Sequence, residues 1–225
     1  YPQFLKLPDG DLLYLFREGS SGNGDVFLNR YRTASATWEN VHRSGSTQLP
    51  FLKGTGWTPN YNPYPNMPQL GPDGELIITW CWRYSPVGND SPAGEAGYQT
   101  NNNLAFGRST DGGLSWQRFD GTPYVLPISR SGESGNPATA AEHIAIIPEG
   151  SSYINQAGMC LDAAGNPVTA TWWAPGATSG NHRRQYMVVF RHANGTWQTR
   201  QVSNRANNPT ATKYNESAVR DLGRP

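Results

Sequence analysis

Ser109-Thr110-Asp111-Gly112-Gly113-Leu114-Ser115-Trp116 spells a turn in its side chains. The short polar groups of Ser109 and Asp111 can take nearby backbone N–H groups. Gly112 and Gly113 admit positive φ, and Trp116 can plug the returning chain into an apolar layer. The pattern predicts a tight hairpin between two outer strands, with a scaffolding role and no chemistry of its own.

The rest of the chain agrees with a fold built on turns. Its 225 residues include 25 Gly and 18 Pro, too many for a helical protein, while 36% hydrophobic and 12% aromatic residues suffice for a core. No window sustains a 3.6-residue apolar period. The apolar runs at 12–16, 76–82 and 187–190 are short, rich in β-branched or aromatic residues, and bounded by Gly, Pro, Asn or Asp. This reads as all-β. The net charge is +1, with 18 Lys and Arg scattered among 17 Asp and Glu, so no basic stripe is available for nucleic acid. No apolar run approaches the roughly 18 residues that would insert in a membrane. Residue 1 is a Tyr within a strand-like pattern, with no initiator Met or signal peptide ahead of it, which suggests a cut rather than a natural start. Cys81 and Cys160 have no metal-ligand spacing and read as small buried hydrophobes. No metal or other cofactor is expected, and the oligomeric state is left open.

A leucine placed before a D-G or A-G turn aligns three units, at Leu7 to Gly10, Leu70 to Gly74 and Leu161 to Gly165. This puts Tyr1, Tyr64 and Asn155 at one repeat position. A second strand follows each turn, at 12–17, 76–83 and 168–173. Then come a polar loop, a third strand, and a short strand ending at Trp38, Trp116 or Trp197. Four strands per unit describe a β-propeller blade. The expected blades are approximately 1–45, 61–120 and 153–203, with 213–225 starting the next. Three blades and a stub do not close a ring, so a partial propeller is expected, whose open faces would favour self-association.

Polar residues at matching blade positions converge on a propeller's central channel. First strands offer Tyr1, Tyr64, Asn66, Asn155 and Gln156. Second strands offer Arg17 and Arg83, with Trp172 and Trp173 in that place in the third unit. Phenol, guanidinium and indole together suit an acidic sugar. Each also has a plainer reading: strand-end arginines often face solvent, the tryptophans can pack between blades, and Asn23 and Asp25 can build a turn. His42 and His192 read as surface residues, His143 could reach a loop face, and His182 on a long loop is the better substrate contact.

The run from Tyr1-Pro2 through Leu7-Pro8-Asp9-Gly10 and Phe16-Arg17-Glu18-Gly19-Ser20-Ser21-Gly22-Asn23-Gly24-Asp25 to Leu28-Asn29-Arg30-Tyr31 resembles the BNR-4 repeat family of bacterial β-propellers. Tyr153-Ile154-Asn155-Gln156 and Trp172-Trp173 fit it too, and the 109–116 stretch resembles the Asp box of sialidase-type propellers. The family includes seven-bladed ulvan lyases, which cleave beside a uronate by β-elimination. The resemblance implies Tyr1 as catalytic acid or base and Arg17 as the group that neutralises the carboxylate. It also implies an acidic polysaccharide or oligosaccharide as partner and a secreted or periplasmic location. The family's zinc-binding His and Cys positions are taken here by residues such as Gly22 and Gly24, so no zinc is expected there. The histidines used by such lyases lie upstream of the Tyr, so this stretch alone is expected to be inactive. Two other readings stand beside this one. A sialidase-like hydrolase would need Arg17, Arg83 and one of Arg183 or Arg184 as a carboxylate-gripping trio, but the sialidase Arg-Ile-Pro motif is absent. A non-catalytic glycan-binding propeller would stack sugars on Trp80, Trp82, Trp172 and Trp173.

Overall fold

Alternation decides the first sheet. Along Leu12–Ser20 (β2) and Asn23–Arg32 (β3), Leu13, Leu15, Val26 and Leu28 are buried, while Tyr14, Phe16 and Phe27 point to the other face and stay partly exposed. Each of the four buried side chains contributes about 1.5–3 kcal/mol relative to an exposed one. Gln3–Lys6 (β1) and Thr37–Asn40 (β4) complete an antiparallel sheet in the order β1-β2-β3-β4. The computed structural model describes residues 2–20, 22–56, 60–85, 100–177 and 183–206. Tyr1, His182, the 86–99 loop and the expected stub at 213–225 lie outside them.

After a small hairpin of Arg43–Ser44 (β5) and Thr47–Gln48 (β6), a second sheet forms. It comprises Asn60–Pro65 (β7), Gln69–Leu70 (β8), Leu76–Ser85 (β9), Asn101–Ser109 (β10) and Glu142–Ala145 (β11). The path runs β11-β10-β9-β7, with β8 pairing β9. The third sheet, in sequence order, is Gly158–Leu161 (β12), Pro167–Trp173 (β13), Gln185–Arg191 (β14) and Trp197–Gln201 (β15). One apolar core, with Leu13, Leu28, Phe51, Trp80, Trp82 and Trp116, lies between sheets one and two. Another, with Ile77, Cys81, Phe106, Tyr153, Trp172 and Val189, lies between sheets two and three. Four-stranded antiparallel sheets packed face to face in succession are the blades of a β-propeller. Among the described residues no helix is long and apolar enough to cross a membrane.

The structure corrects several sequence expectations. The outer strand of the second sheet is β11, not the segment ending at Trp116, so this sheet runs well past residue 120. Trp116 instead fills the core between sheets one and two, with its ring centroid 4.2 Å from that of Phe51. The three inner turns superpose on their glycines: Gly10, Gly74 and Gly165 take φ of 91°, 80° and 80° and donate to Leu7, Gly71 and Asp162. Leu7 therefore matches Gly71 and Asp162, one place from the leucine alignment. Counted from the second-strand residues Leu12, Leu76 and Pro167, which pair across these turns, Arg17 matches Cys81 and Trp172, and Arg83 falls two positions further out. Both cysteines are free, but Cys160 is exposed rather than buried.

Candidate functional site

Arg17 shares the strand face of Leu13 and Leu15, so the alternation that buries the leucines aims its guanidinium at sheet two. Its Cζ stands 4.8 Å from the centroid of the Tyr64 ring. Nη1 donates to the Ser20 carbonyl at 2.8 Å. Nε and Nη2, the side-on pair that grips a carboxylate with two parallel bonds, are buried without a hydrogen-bond partner. Burial lowers the Arg17 pKa; the Tyr64 phenol opposes that shift, the Arg83 cation adds to it, and Asp25 opposes it.

Tyr64, on β7, joins the two arginines. Its Oη accepts from the Gly22 amide at 3.1 Å and from Arg83 Nη1 at 3.3 Å. Arg83, 7% exposed, lies on β9 opposite Asn62. Asn62 Oδ1 accepts from the Gly24 amide at 2.6 Å, and its Nδ2 donates to the Gly22 carbonyl at 2.5 Å. The β2-β3 hairpin of the first blade is thus fastened to the innermost strand of the second. Asp25 does not build the hairpin's own turn. It accepts from the Gly54 and Thr55 amides at 2.7 and 2.9 Å and from the Thr55 hydroxyl at 2.8 Å, tying β3 to the segment beyond the blade.

The structure therefore brings Arg17, Tyr64 and Arg83 together, while Tyr1 and His182 lie outside the described residues. The third-blade candidates take other roles. Trp172 and Trp173 are 1% and 7% exposed, and Arg184 lies over the Trp172 ring at 5.2 Å. Asn155 and Gln156 precede β12 instead of lying in it and are half-buried. Asn66 braces blades two and three, donating to Thr79 Oγ1 at 2.9 Å and accepting from the Ala157 amide at 2.6 Å. Trp80 and Trp82 are fully buried, so the sugar-stacking expectation loses those platforms. His42 is not a surface residue: it is 9% exposed, and its Nε2 bonds the Gly113 carbonyl at 2.8 Å. Burial pushes the Cys81 thiol up to about 12.

Asn62 escaped the sequence reading because no partner at its repeat position flags it. A second phenol–guanidinium pair also escaped: Arg130 sits 4.0 Å over the Tyr61 ring and donates to Asn102 Oδ1 at 2.8 Å. At the opposite end of β3, a groove of about 500 Å³ is lined by Arg30, Arg32, Trp38 and Arg43 among others. There Arg30 pairs with Asp9 and Asp11, and Arg32 with Asp11 and Glu39.

Successive antiparallel blades with a polar cluster at their inner junction define a repeat propeller. Residues 1–205 match the BNR repeat-containing family, and the chain belongs to it. No curated protein matches the chain. Among solved structures it is similar to a PL25 ulvan lyase, determined free and bound to -[GlcA(1-4)Rha3S]-. The TM-score is 0.68 at 21% identity, over 92% of this chain and 44% of that one. It is also similar to the polysaccharide lyase Uly1, with a TM-score of 0.62 at 16% identity over 89% of this chain and 40% of that one. The chain thus spans less than half the length of these solved relatives, and the likeness shows the fold.

Proposed function

We propose that the chain belongs to a carbohydrate-active propeller that cleaves a uronate-containing polysaccharide by β-elimination, with Arg17 as the carboxylate-binding group. The observation that carries this reading is the unpartnered Nε/Nη2 pair of Arg17, beside a second guanidinium and a phenol. Buried donors without acceptors are costly and ask for an explanation, and an incoming carboxylate is an acceptor of the matching shape. The pair is buried against the hairpin at Gly24, so the hairpin sets how far the guanidinium must turn to meet the anion. Abstraction of the proton α to the uronate carboxylate builds negative charge on that group. A cation gripping both oxygens stabilises this charge more in the transition state than in the ground state. Arg83 adds positive potential, and Tyr64 orients the two cations. Tyr1 would serve as proton donor or acceptor. The activity proposed is that of a whole ring, of seven blades, working on a polymer outside the cytoplasm.

Absorbance of the unsaturated uronate product, followed after adding acidic polysaccharides to the full-length protein, tests the reading. Arg17→Ala is expected to lower kcat/KM by about 100-fold or more. Arg17→Lys, which keeps the charge but loses the two-pronged grip, should also be impaired. Tyr1→Phe should abolish turnover. Undiminished cleavage in the Arg17 and Tyr1 variants overturns the site, and a product without a double bond overturns the reaction.

A further inference from the structure

We infer that Asn62 is a positioning residue for Arg17, acting through the β2-β3 hairpin; this rests on the uronate reading above. Asn62 has no exposed surface, and both ends of its carboxamide are used on the neighbouring blade, accepting from the Gly24 amide at 2.6 Å and donating to the Gly22 carbonyl at 2.5 Å. One side chain thereby imitates a strand partner for the hairpin, offering a donor and an acceptor where the sheet ladder does not reach.

The stretch it holds is also the floor beneath the guanidinium. A Cβ placed on Gly24 would fall 2.7 Å from Arg17 Cζ and 2.8 Å from Nη2, so the guanidinium lies directly on the Gly24 backbone. The near arm of the hairpin supplies the Ser20 carbonyl that takes Nη1. Gly22 is held from its other side by Tyr64 Oη, which also accepts from Arg83. If the hairpin shifts, the Arg17 fork moves relative to both Tyr64 and Arg83. Asparagine is the side chain this demands. Aspartate would set a second acceptor against the Gly22 carbonyl, and leucine would leave both backbone groups unpaired. Displacements of about 1 Å in such positioning cost about 100-fold in rate.

The test compares Asn62→Asp, Arg17→Lys and the double variant in the full-length protein, with thermal melting to establish folding. NMR of the Arg17 Nε–Hε signal supplies a readout independent of turnover. Asn62→Asp is expected to move that signal, to speed hydrogen exchange at the Gly22 and Gly24 amides, and to lower kcat/KM by about 10- to 100-fold. Added to Arg17→Lys it should cost little more, because both act through one guanidinium. If Asn62→Asp does not fold, Asn62→Ser, which withdraws the carboxamide from the Gly22 and Gly24 backbone without adding charge, should give the same shift and the same non-additivity. An unmoved Arg17 signal in a folded variant, or losses that simply multiply in the double variant, overturns the inference. A moved signal with turnover unaffected by either single change leaves the clamp standing and overturns the uronate reading instead.

Discussion

His42 is buried and His143 half-buried with its Nε2 enclosed, so in each a protonated imidazole would lack water. Burial, aided by the nearby Arg130 cation, pushes His143 down to about 4, and burial likewise lowers His42 against the pull of the Gly113 carbonyl. Both groups charge more readily in the unfolded chain, near 6.5. Their contribution is therefore full above that pH and is lost as pH falls from about 6.5 toward the folded values. For His143 the loss is on the order of 3 kcal/mol by pH 4. Glu142 and Glu149, raised by burial, tilt the other way just above their ordinary range, so a bare pH curve mixes the two effects. Urea unfolding of His143→Gln should show a flatter loss of stability between pH 6.5 and 4 than the parent, and parallel curves would refute the assignment. The reading of His42 as a surface residue failed because its partner carbonyl lies 71 residues away. The grouping of Arg17, Tyr64 and Arg83 was legible because phenol and guanidinium stood out at strand positions expected to face the channel. Asn62 was not, since what defines it is a contact with a hairpin 38 to 40 residues earlier.

At the scale of the element, the 109–116 hairpin behaves as its side chains suggested. Ser109 Oγ donates to Asp111 at 2.7 Å and accepts from the Gly113 amide at 2.9 Å, while Asp111 takes the Ser115 amide and hydroxyl at 2.9 and 2.6 Å. Trp116 Nε1 closes the turn on the Gly113 carbonyl at 3.0 Å. Gly113, at φ 96°, has no unstrained L-residue substitute. Asp111→Ala removes the acceptor shared by Ser109 and Ser115 and should cost about 1–3 kcal/mol. Denaturant midpoints would show this at unchanged slope; an unshifted midpoint would mean the network adds nothing to stability. The sequence placed this turn correctly but not the strand beyond it. After Trp116 the chain meets Pro123, Pro127 and Pro137, none of which can donate to a ladder. The edge position next to β10 therefore passes to the four residues of β11, too short a run to carry a readable period.

For the whole molecule, the repeat shows which surfaces are interfaces. Two and four positions beyond Leu76 and Pro167 lie Ile78 and Trp80, and Thr169 and Thr171; all four are buried, the first two in the core shared with the preceding sheet and Thr169 against Thr79 of the sheet before it. The same positions in the first blade are Tyr14 and Phe16, and their face carries a stack of rings. Phe4 and Tyr14 lie 4.7 Å apart, Tyr14 and Phe16 5.0 Å, and Phe16 and Phe27 5.7 Å. Trp197 on β15 packs on Phe106 of the sheet before it and on Phe119 in the turn beyond, whereas Trp38 on β4 is 51% exposed. At the other end Val168 and Ala170 occupy the places of Leu13 and Leu15, so the face of the third sheet left free among the described residues is of the kind that receives such a ring-bearing face. An aromatic surface this continuous is unusual on a soluble monomer, and the two free faces are complementary by repeat. The 225-residue chain should therefore self-associate head to tail. Sedimentation velocity should show a concentration-dependent shift to larger species, abolished by Phe16→Glu on one face or by Val188→Lys on the other, at unchanged melting temperature. A chain that stays monomeric throughout the titration would mean that ring stacking within the sheet already satisfies the aromatic face. If the face does bind, a covering sheet with branched aliphatic side chains in the register of Leu13, Leu15, Val26 and Leu28 would suit it, because that is what the equivalent, ring-bearing face of the second sheet meets inside this molecule.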